Sequence, residues 1–453
     1  MASTPLVLLH GYSAQASSYD AWKSILQKAG FSVQDIFIGN YVTLNNEITV
    51  DDIAEGFDRS LRAKGLDKKP FDVVVHSTGM LVLRAWLTAP SAKDRQKLLK
   101  HLVALAPATF GSPVATKGRS LLGRIFLGNK HLGPDFLNSG NLVLNNLELG
   151  SSYTWYLAHR DLFGDKTFYD AGTDTPYVFV FDGASDYGKL AEVFLPKDQL
   201  GTDGIVRWAG APLNSRKIIM DLTRMPSDQG RLAWSPWTNI DIPLIPVAGV
   251  NHNQILSEPP EGLPDLVIQA LRVASSEDLK NFYVRVGNAP VVQQGHAKID
   301  ADPWQQFIVH AVDERGYGIN DYSIELFVRD ANGDETSIPA FEEDVHAYTL
   351  DKSFRSFHVR LKDAQLDRFR EPSSKVIVRV SASTGTDLVG YQGFGTTVSQ
   401  LGPTTGPVEL DISGAARDTD QKLFCPFTTT LIEMHLNREP IPRADGTYEI
   451  FGF

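Results

Sequence analysis

The sequence predicts an α/β domain, with helices on both faces of a parallel sheet, followed by an all-β sandwich domain. Two observations carry that reading. From residue 5 to about residue 275, apolar runs of strand length alternate with helix-like segments, and strands separated by helices imply right-handed crossovers into a parallel sheet. After Ser275-Ser276-Glu277-Asp278 the texture changes to short runs that alternate apolar with polar residues, the pattern of antiparallel strands with one wet face. The domains are therefore expected at 1–278 and 279–453, since 453 residues exceed what one core usually serves.

The elements follow in order. Pro5 to Leu9 is an apolar run stopping at His10-Gly11, and residues 31–41 read as a second strand. Thr49 to Ala63 reads as a helix with an acidic first turn at Asp51-Asp52. Phe71-Asp72-Val73-Val74-Val75 is a β-branched run, as in a strand buried on both faces, and it feeds a helix over Met80 to Leu87. Leu102 to Ala106 is another strand. Between Gly111 and Lys166 the alternation lapses into a Gly-, Asn- and Leu-rich stretch with apolar clusters, among them Trp155-Tyr156-Leu157. It resumes at Tyr177 to Phe181, with Ile242 to Gly249 the last strand of this half and Leu263 to Val273 its last helix. In the second half, runs beginning at Ile324, Phe357 and Val376 read as strands, and Asn332-Gly333 is a hairpin turn because both residues tolerate positive φ.

Composition narrows the function. A net charge of −11 argues against nucleic-acid binding, because a polyanion would be repelled. A single cysteine, Cys425, excludes an intrachain disulfide and a cysteine-based metal cluster and fits a reducing compartment. Met1-Ala2-Ser3-Thr4-Pro5 runs into Leu6-Val7-Leu8-Leu9 without the basic region of a signal peptide, so a cytoplasmic location is expected, or a secreted one if a leader has been trimmed. No apolar run reaches the roughly 18 residues of a transmembrane helix.

The chemistry concentrates at Val75-His76-Ser77-Thr78-Gly79, where a buried strand turns into a helix. A serine on that sharp turn projects its hydroxyl from the sheet edge, and the Thr78 N–H then points at an oxyanion at the helix N-terminus. His10-Gly11-Tyr12 ends the first strand, where a second amide donor would be needed, and the Tyr12 N–H takes that role. A general base must come late in the chain. Of 11 histidines, His252 in Gly249-Val250-Asn251-His252-Asn253 stands just past the last strand of the sheet. His101, His131 and His159 fall at a helix terminus or in the irregular insert. The orienting carboxylate should follow the strand Tyr177 to Phe181. Asp203 in Thr202-Asp203-Gly204 is favoured because Asp-Gly gives a tight turn, Asp182 at the strand end is its main rival, and Asp186 and Asp221 stand behind it.

Together, Leu9-His10-Gly11-Tyr12, Val75-His76-Ser77-Thr78-Gly79, Ala106-Pro107-Ala108-Thr109-Phe110-Gly111-Ser112-Pro113, Gly201-Thr202-Asp203-Gly204 and Asn251-His252 resemble the bacterial lipase and esterase branch of the α/β-hydrolase superfamily. The resemblance spans residues 5 to about 275 in the order Ser, Asp, His. It implies an α/β-hydrolase fold with a cap insert at about 111–170, Ser77 as nucleophile, Asp203 as orienting acid, His252 as base, and the Tyr12 and Thr78 amides as the oxyanion hole. The implied reaction is hydrolysis of hydrophobic acyl esters without cofactor. The second half resembles immunoglobulin-like accessory modules, for which contact with a lipid or polymer surface, dimer contacts or shielding of the first domain are all open.

The sequence departs from the family pattern at two places. Val75 replaces a small residue, and Asn253-Gln254 follow the histidine where calcium-binding lipases of this branch carry an aspartate, so no calcium site is expected. Thioesterase, polyester depolymerase and acyltransferase chemistry would use the same three side chains. From another class, an interaction protein could keep the fold without turnover, with Val75 as its support. Dehalogenase chemistry is disfavoured because it needs an aspartate where Ser77 stands.

Overall fold

The computed structural model describes residues 4–9, 19–35, 47–90, 92–116, 141–171, 174–185, 201–225, 228–239, 241–338, 341, 344–362, 372–393, 407–418, 422–441, 443 and 445–448. The chain forms two compact units, the first made of 1–214 and 238–302, the second of 215–237 and 303–453.

The first unit holds a parallel sheet of β1 (Pro5–Leu9), β2 (Ser32–Asp35), β3 (Phe71–His76), β4 (Leu99–Leu105), β5 (Tyr177–Gly183) and β8 (Leu244–Val247), in the order β2-β1-β3-β4-β5-β8. Strands β6 (Ser215–Asp221) and β7 (Leu232–Trp234) fall between β5 and β8 in the chain but belong to the second unit. Every residue of β3 is buried, as its β-branched run requires. Its neighbours β1 and β4 pair along it in parallel register, Leu9 opposite Val75 and Leu105 opposite His76.

Helices cover the sheet: α1 (Asp20–Lys28), α2 (Val50–Ala63), α3 (Gly79–Thr88), α4 (Arg95–Leu98), α5 (Asn141–Leu147), α6 (Ser152–Asp161), α7 (Gln254–Ser257), α8 (Leu263–Ala270), α9 (Ser276–Asn288) and α10 (Pro290–Ala301). The α2 start is fixed by a reciprocal cap, Thr49 Oγ1 accepting the Asp52 N–H at 3.1 Å while Asp52 accepts the Thr49 N–H at 2.9 Å. One sheet face buries Leu8, Val74, Val103 and Phe181 against Trp22 of α1 and Val267 of α8. Each such side chain contributes about 1.5–3 kcal/mol by leaving water.

The boundary expected at 278/279 is corrected. Residues 276–301 are α9 and α10, and the first unit runs to Asp302. Ser275 Oγ accepts the Asp278 N–H at 3.1 Å and so caps α9, whose Phe282 packs edge-on against Phe179 of β5 at 4.7 Å between ring centres. The Ser-Ser-Glu-Asp run therefore starts a helix of the first unit and is not a linker.

The second unit is a β-sandwich. One sheet, β11 (Glu335–Ile338), β10 (Asp321–Arg329), β14 (Lys375–Ser383) and β16 (Val408–Asp411), is antiparallel throughout. Between β10 and β11, Gly333 has φ 93° in the predicted turn, and Asp330 accepts the Asn332 and Asp334 amides. The other sheet runs β12 (Val345–Ala347), β13 (Phe354–Arg360), β9 (Trp304–Asp313), β17 (Thr429–Pro440), β6 and β7, with β15 (Val389–Gln392) also on β17. Here β17 is parallel to both β9 and β6, a departure from a purely antiparallel sandwich. The core joins Ile218 and Met220 of β6 to Phe307, Leu326, Val378 and Met434. Among the described residues no helix is long and apolar enough to cross a membrane.

Candidate active site

The site begins where β3 meets α3. Ser77 adopts φ 53°, left-handed backbone that costs a non-glycine residue about 1–2 kcal/mol. The surroundings hold it there: the Ser77 N–H donates to Leu105 O and the Ala108 N–H to Ser77 O, both at 3.2 Å. The serine is 2% exposed. Thr78 follows as the N-cap of α3, and its amide has no backbone acceptor among the described residues. An amide at a helix N-terminus is suited to a developing negative charge. Val75, the departure from the family pattern, is fully buried in β3 with the turn intact.

His252 comes from the loop after β8. Its Nε2 lies 2.9 Å from Ser77 Oγ, and its Nδ1 lies 2.6 Å from Asp203 Oδ2. An ionised carboxylate can only accept, so Nδ1 carries the proton and Nε2 accepts the serine hydroxyl. The backbones join as well, the His252 N–H donating to Asp203 O at 3.2 Å. Both side chains are wholly buried. Asp203 Oδ1 accepts the Ile205 and Val206 amides at 2.9 and 2.7 Å. Burial alone would raise the Asp203 pKa, but His252 and hydrogen bonds from His252, Asp182 and the Val206 amide outweigh it, holding the carboxyl below its ordinary range.

Neighbouring segments fix these loops. Residues 109–112, in the Ala-Thr-Phe-Gly-Ser-Pro motif, clamp the Asp203 loop: the Phe110 N–H donates to Gly210 O, Thr109 Oγ1 to Ala211 O and Ser112 Oγ to Ile205 O at 2.6 Å. Gly204 takes φ 97° in the Asp-Gly turn. Behind the histidine, Gln254 Oε1 accepts the Asn251 N–H while Asn251 Oδ1 accepts the Asn253 and Gln254 amides. His76 Nε2 lies 2.9 Å from the His252 carbonyl oxygen. Gly183, ending β5, packs so closely on this loop that a Cβ there would stand 2.5 Å from Val250 O. Gly183→Ala is therefore expected to displace His252 and lower kcat about 100-fold, read from initial rates on a soluble ester.

On the far side of α3, Arg84 is fully buried and forks onto Asp161 of α6, Nε to Oδ2 at 2.7 Å and Nη2 to Oδ1 at 2.8 Å. Its Nη1 donates to Thr109 O, and Tyr169 OH donates to Asp161 Oδ2 at 2.8 Å. One cation thus ties the helix after Ser77 to the motif clamping Asp203 and to a helix of the insert.

The structure brings Ser77, His252, Asp203 and Thr78 together. Tyr12, Asp186, His131 and residues 117–140 of the expected cap lie outside the described residues. The carboxylate that His252 Nδ1 meets is Asp203, and Asp182 is a buried carboxyl on which the Asp203 charge acts. Asp221 belongs to β6 of the second unit, where Thr223 and Arg224 hold it. His101 pairs with Asp72, and His159 bonds the Trp155 carbonyl. Sequence reasoning missed His76, Gln254 and Arg84 as supports, although an arginine inside the apolar run of α3 was a visible signal. Among the described residues no group of His, Cys, Asp or Glu has metal-binding geometry.

A serine on a left-handed strand-to-helix turn, on a parallel sheet that carries the later aspartate and histidine loops, is the architecture of the α/β-hydrolase fold, and this chain has that fold joined to a β-sandwich. Phospholipase PlaB from Legionella pneumophila is similar over the full length, with a TM-score of 0.76 at 21% identity, covering 100% of this chain and 96% of PlaB. PlaB in complex with thio-NAD gives a TM-score of 0.75 at 20% identity over the same shares. The mature lipase BlEst2 of Bacillus licheniformis aligns over 59% of this chain and 92% of its own at 15% identity, but its TM-score of 0.38 adds nothing to the fold. No family model and no curated protein matches the chain.

Proposed function

We propose that this chain is a serine carboxylic ester hydrolase of lipase or esterase type, acting on hydrophobic acyl esters. The observation that carries the reading is the hydrogen-bonded series Ser77 Oγ, His252 Nε2, His252 Nδ1, Asp203 Oδ2, at 2.9 and 2.6 Å, from three separate segments. His252 takes the Ser77 proton as Oγ attacks the ester carbonyl, and Asp203 stabilises the imidazolium. The Thr78 amide holds the oxyanion, joined by the Tyr12 amide. His252 then protonates the leaving alcohol, and water attacks the acyl-enzyme by the reverse route.

PlaB is a phospholipase, so a phospholipid heads the substrate series, followed by p-nitrophenyl esters of increasing acyl length and an acyl thioester. A fluorophosphonate probe should label wild-type protein at Ser77, and the esters should release free acid. No labelling together with no hydrolysis across the series would remove the reading. Transfer of the acyl group to an added alcohol in preference to water would favour an acyltransferase.

A further inference from the structure

We propose that Asp182 is a positioning residue, a neutral carboxylic acid that donates its proton to Asp203 and so keeps Asp203 as the ionised partner of His252. This rests on the ester-hydrolase reading of the same site.

Asp182 is the penultimate residue of β5, opposite Pro246 of β8, and is fully buried. Its Oδ1 accepts the Gly183 N–H at 2.8 Å, its Oδ2 is buried with no donor among the described residues, and the charged neighbour acting on it is Asp203. The donors around the two carboxyls are unequal. Asp203 already receives the Ile205 and Val206 amides and the His252 Nδ1 proton, whereas Asp182 receives one amide. Among the described residues the charged group acting on Asp182 is Asp203 from the 201–211 loop, with His252 beyond it.

Two carboxylates in contact in a dry site cannot both be ionised. The one with three donors keeps the charge, and the one with a single donor takes the proton and becomes a donor itself. Burial, then the Asp203 charge and the hydrogen bond to it, push the Asp182 pKa well above the usual carboxylate range, while the Gly183 amide offsets only part. A neutral Asp182 supplies Asp203 with a fourth hydrogen bond. That bond steadies the Asp203 anion, restrains its pull on the imidazole proton, and fixes the carboxylate plane against His252.

The test compares Asp182→Ala, Asp182→Asn and Asp203→Asn in the full chain. Asp182→Ala is expected to lower kcat about 10- to 100-fold with little change in KM, since it removes a buried bond to a charged group. The acid limb of its kcat/KM profile should move to higher pH, because a less supported Asp203 anion favours protonated imidazole. Asp182→Asn should recover most of that loss and restore the limb, because the amide N–H₂ can still donate to Asp203 and its oxygen can still accept from Gly183. A loss in Asp182→Asn as deep as in Asp203→Asn would overturn the proposal, since it would mean that Asp182 acts as an anion.

A readout independent of turnover is the infrared carbonyl stretch of a neutral carboxyl group at neutral pH. It should vanish in Asp182→Asn and persist in Ser77→Ala. Its absence from the wild type would also overturn the proposal. If wild-type protein shows that band but neither hydrolyses esters nor reacts with the fluorophosphonate, the functional reading fails while the neutral state of Asp182 stands.

Discussion

Ser77→Ala is expected to lower kcat for ester hydrolysis about a millionfold, the loss found when a triad nucleophile is removed from a serine hydrolase. The change deletes one oxygen and keeps the Cβ, so the left-handed turn at φ 53° and its hydrogen bonds to Leu105 and Ala108 are undisturbed. Thermal melting should therefore match that of the wild type, which separates lost chemistry from lost fold. His252→Ala should cost nearly as much. The double variant should cost no more than the worse single one, because the hydroxyl and the imidazole act as one unit. Progress curves at saturating substrate decide the matter, and equal turnover in Ser77→Ala and wild type would discard Ser77 as the nucleophile.

The second large effect concerns stability. Among the described residues, Arg84→Met leaves buried Asp161 with the Tyr169 hydroxyl as its remaining side-chain partner, and Asp161→Asn leaves an uncompensated guanidinium. Either substitution should cost about 3–5 kcal/mol, measured by denaturant unfolding, because a buried charge has lost its partner. The double replacement Arg84→Met with Asp161→Asn should cost clearly less than the sum, since no charge is then stranded. Equal costs for the double variant and the sum of the singles would mean that the pair contributes no coupling.

The strand-and-helix rhythm of the first unit was legible because each step has a local cause. A β-branched run must be buried on both faces, and Thr49 with Asp52 caps a helix wherever it stands. Ser77, His252 and Asp203 were legible for a related reason: each closes a segment that the sheet brings to one edge. The β6–β7 hairpin was not. The alternation in Ser-Arg-Lys-Ile-Ile-Met-Asp suits any half-buried strand, and nothing local says which sheet it joins. Ser275 and Asp278 were read as a change of texture although Ser-x-x-Asp is also a helix start. The choice between Asp182 and Asp203 needed the imidazole, because both carboxylates lie near the end of β5 and only three-dimensional contact separates them.

The hairpin has a consequence for how the polypeptide is made. Strand β6 has β7 on one side and β17 on the other, and β17 spans Thr429–Pro440, far downstream of the hairpin in the chain. A nascent chain emerging from the ribosome must therefore carry Ile218 and Met220 without that neighbour until β17 has been synthesised. The excursion also interrupts the chain between Asp203 and His252, so the segment joining these two residues is tied through connectivity to β17. A cut after Asp302 would remove that strand and orphan the hairpin, leaving sticky apolar side chains where a clean catalytic fragment was intended.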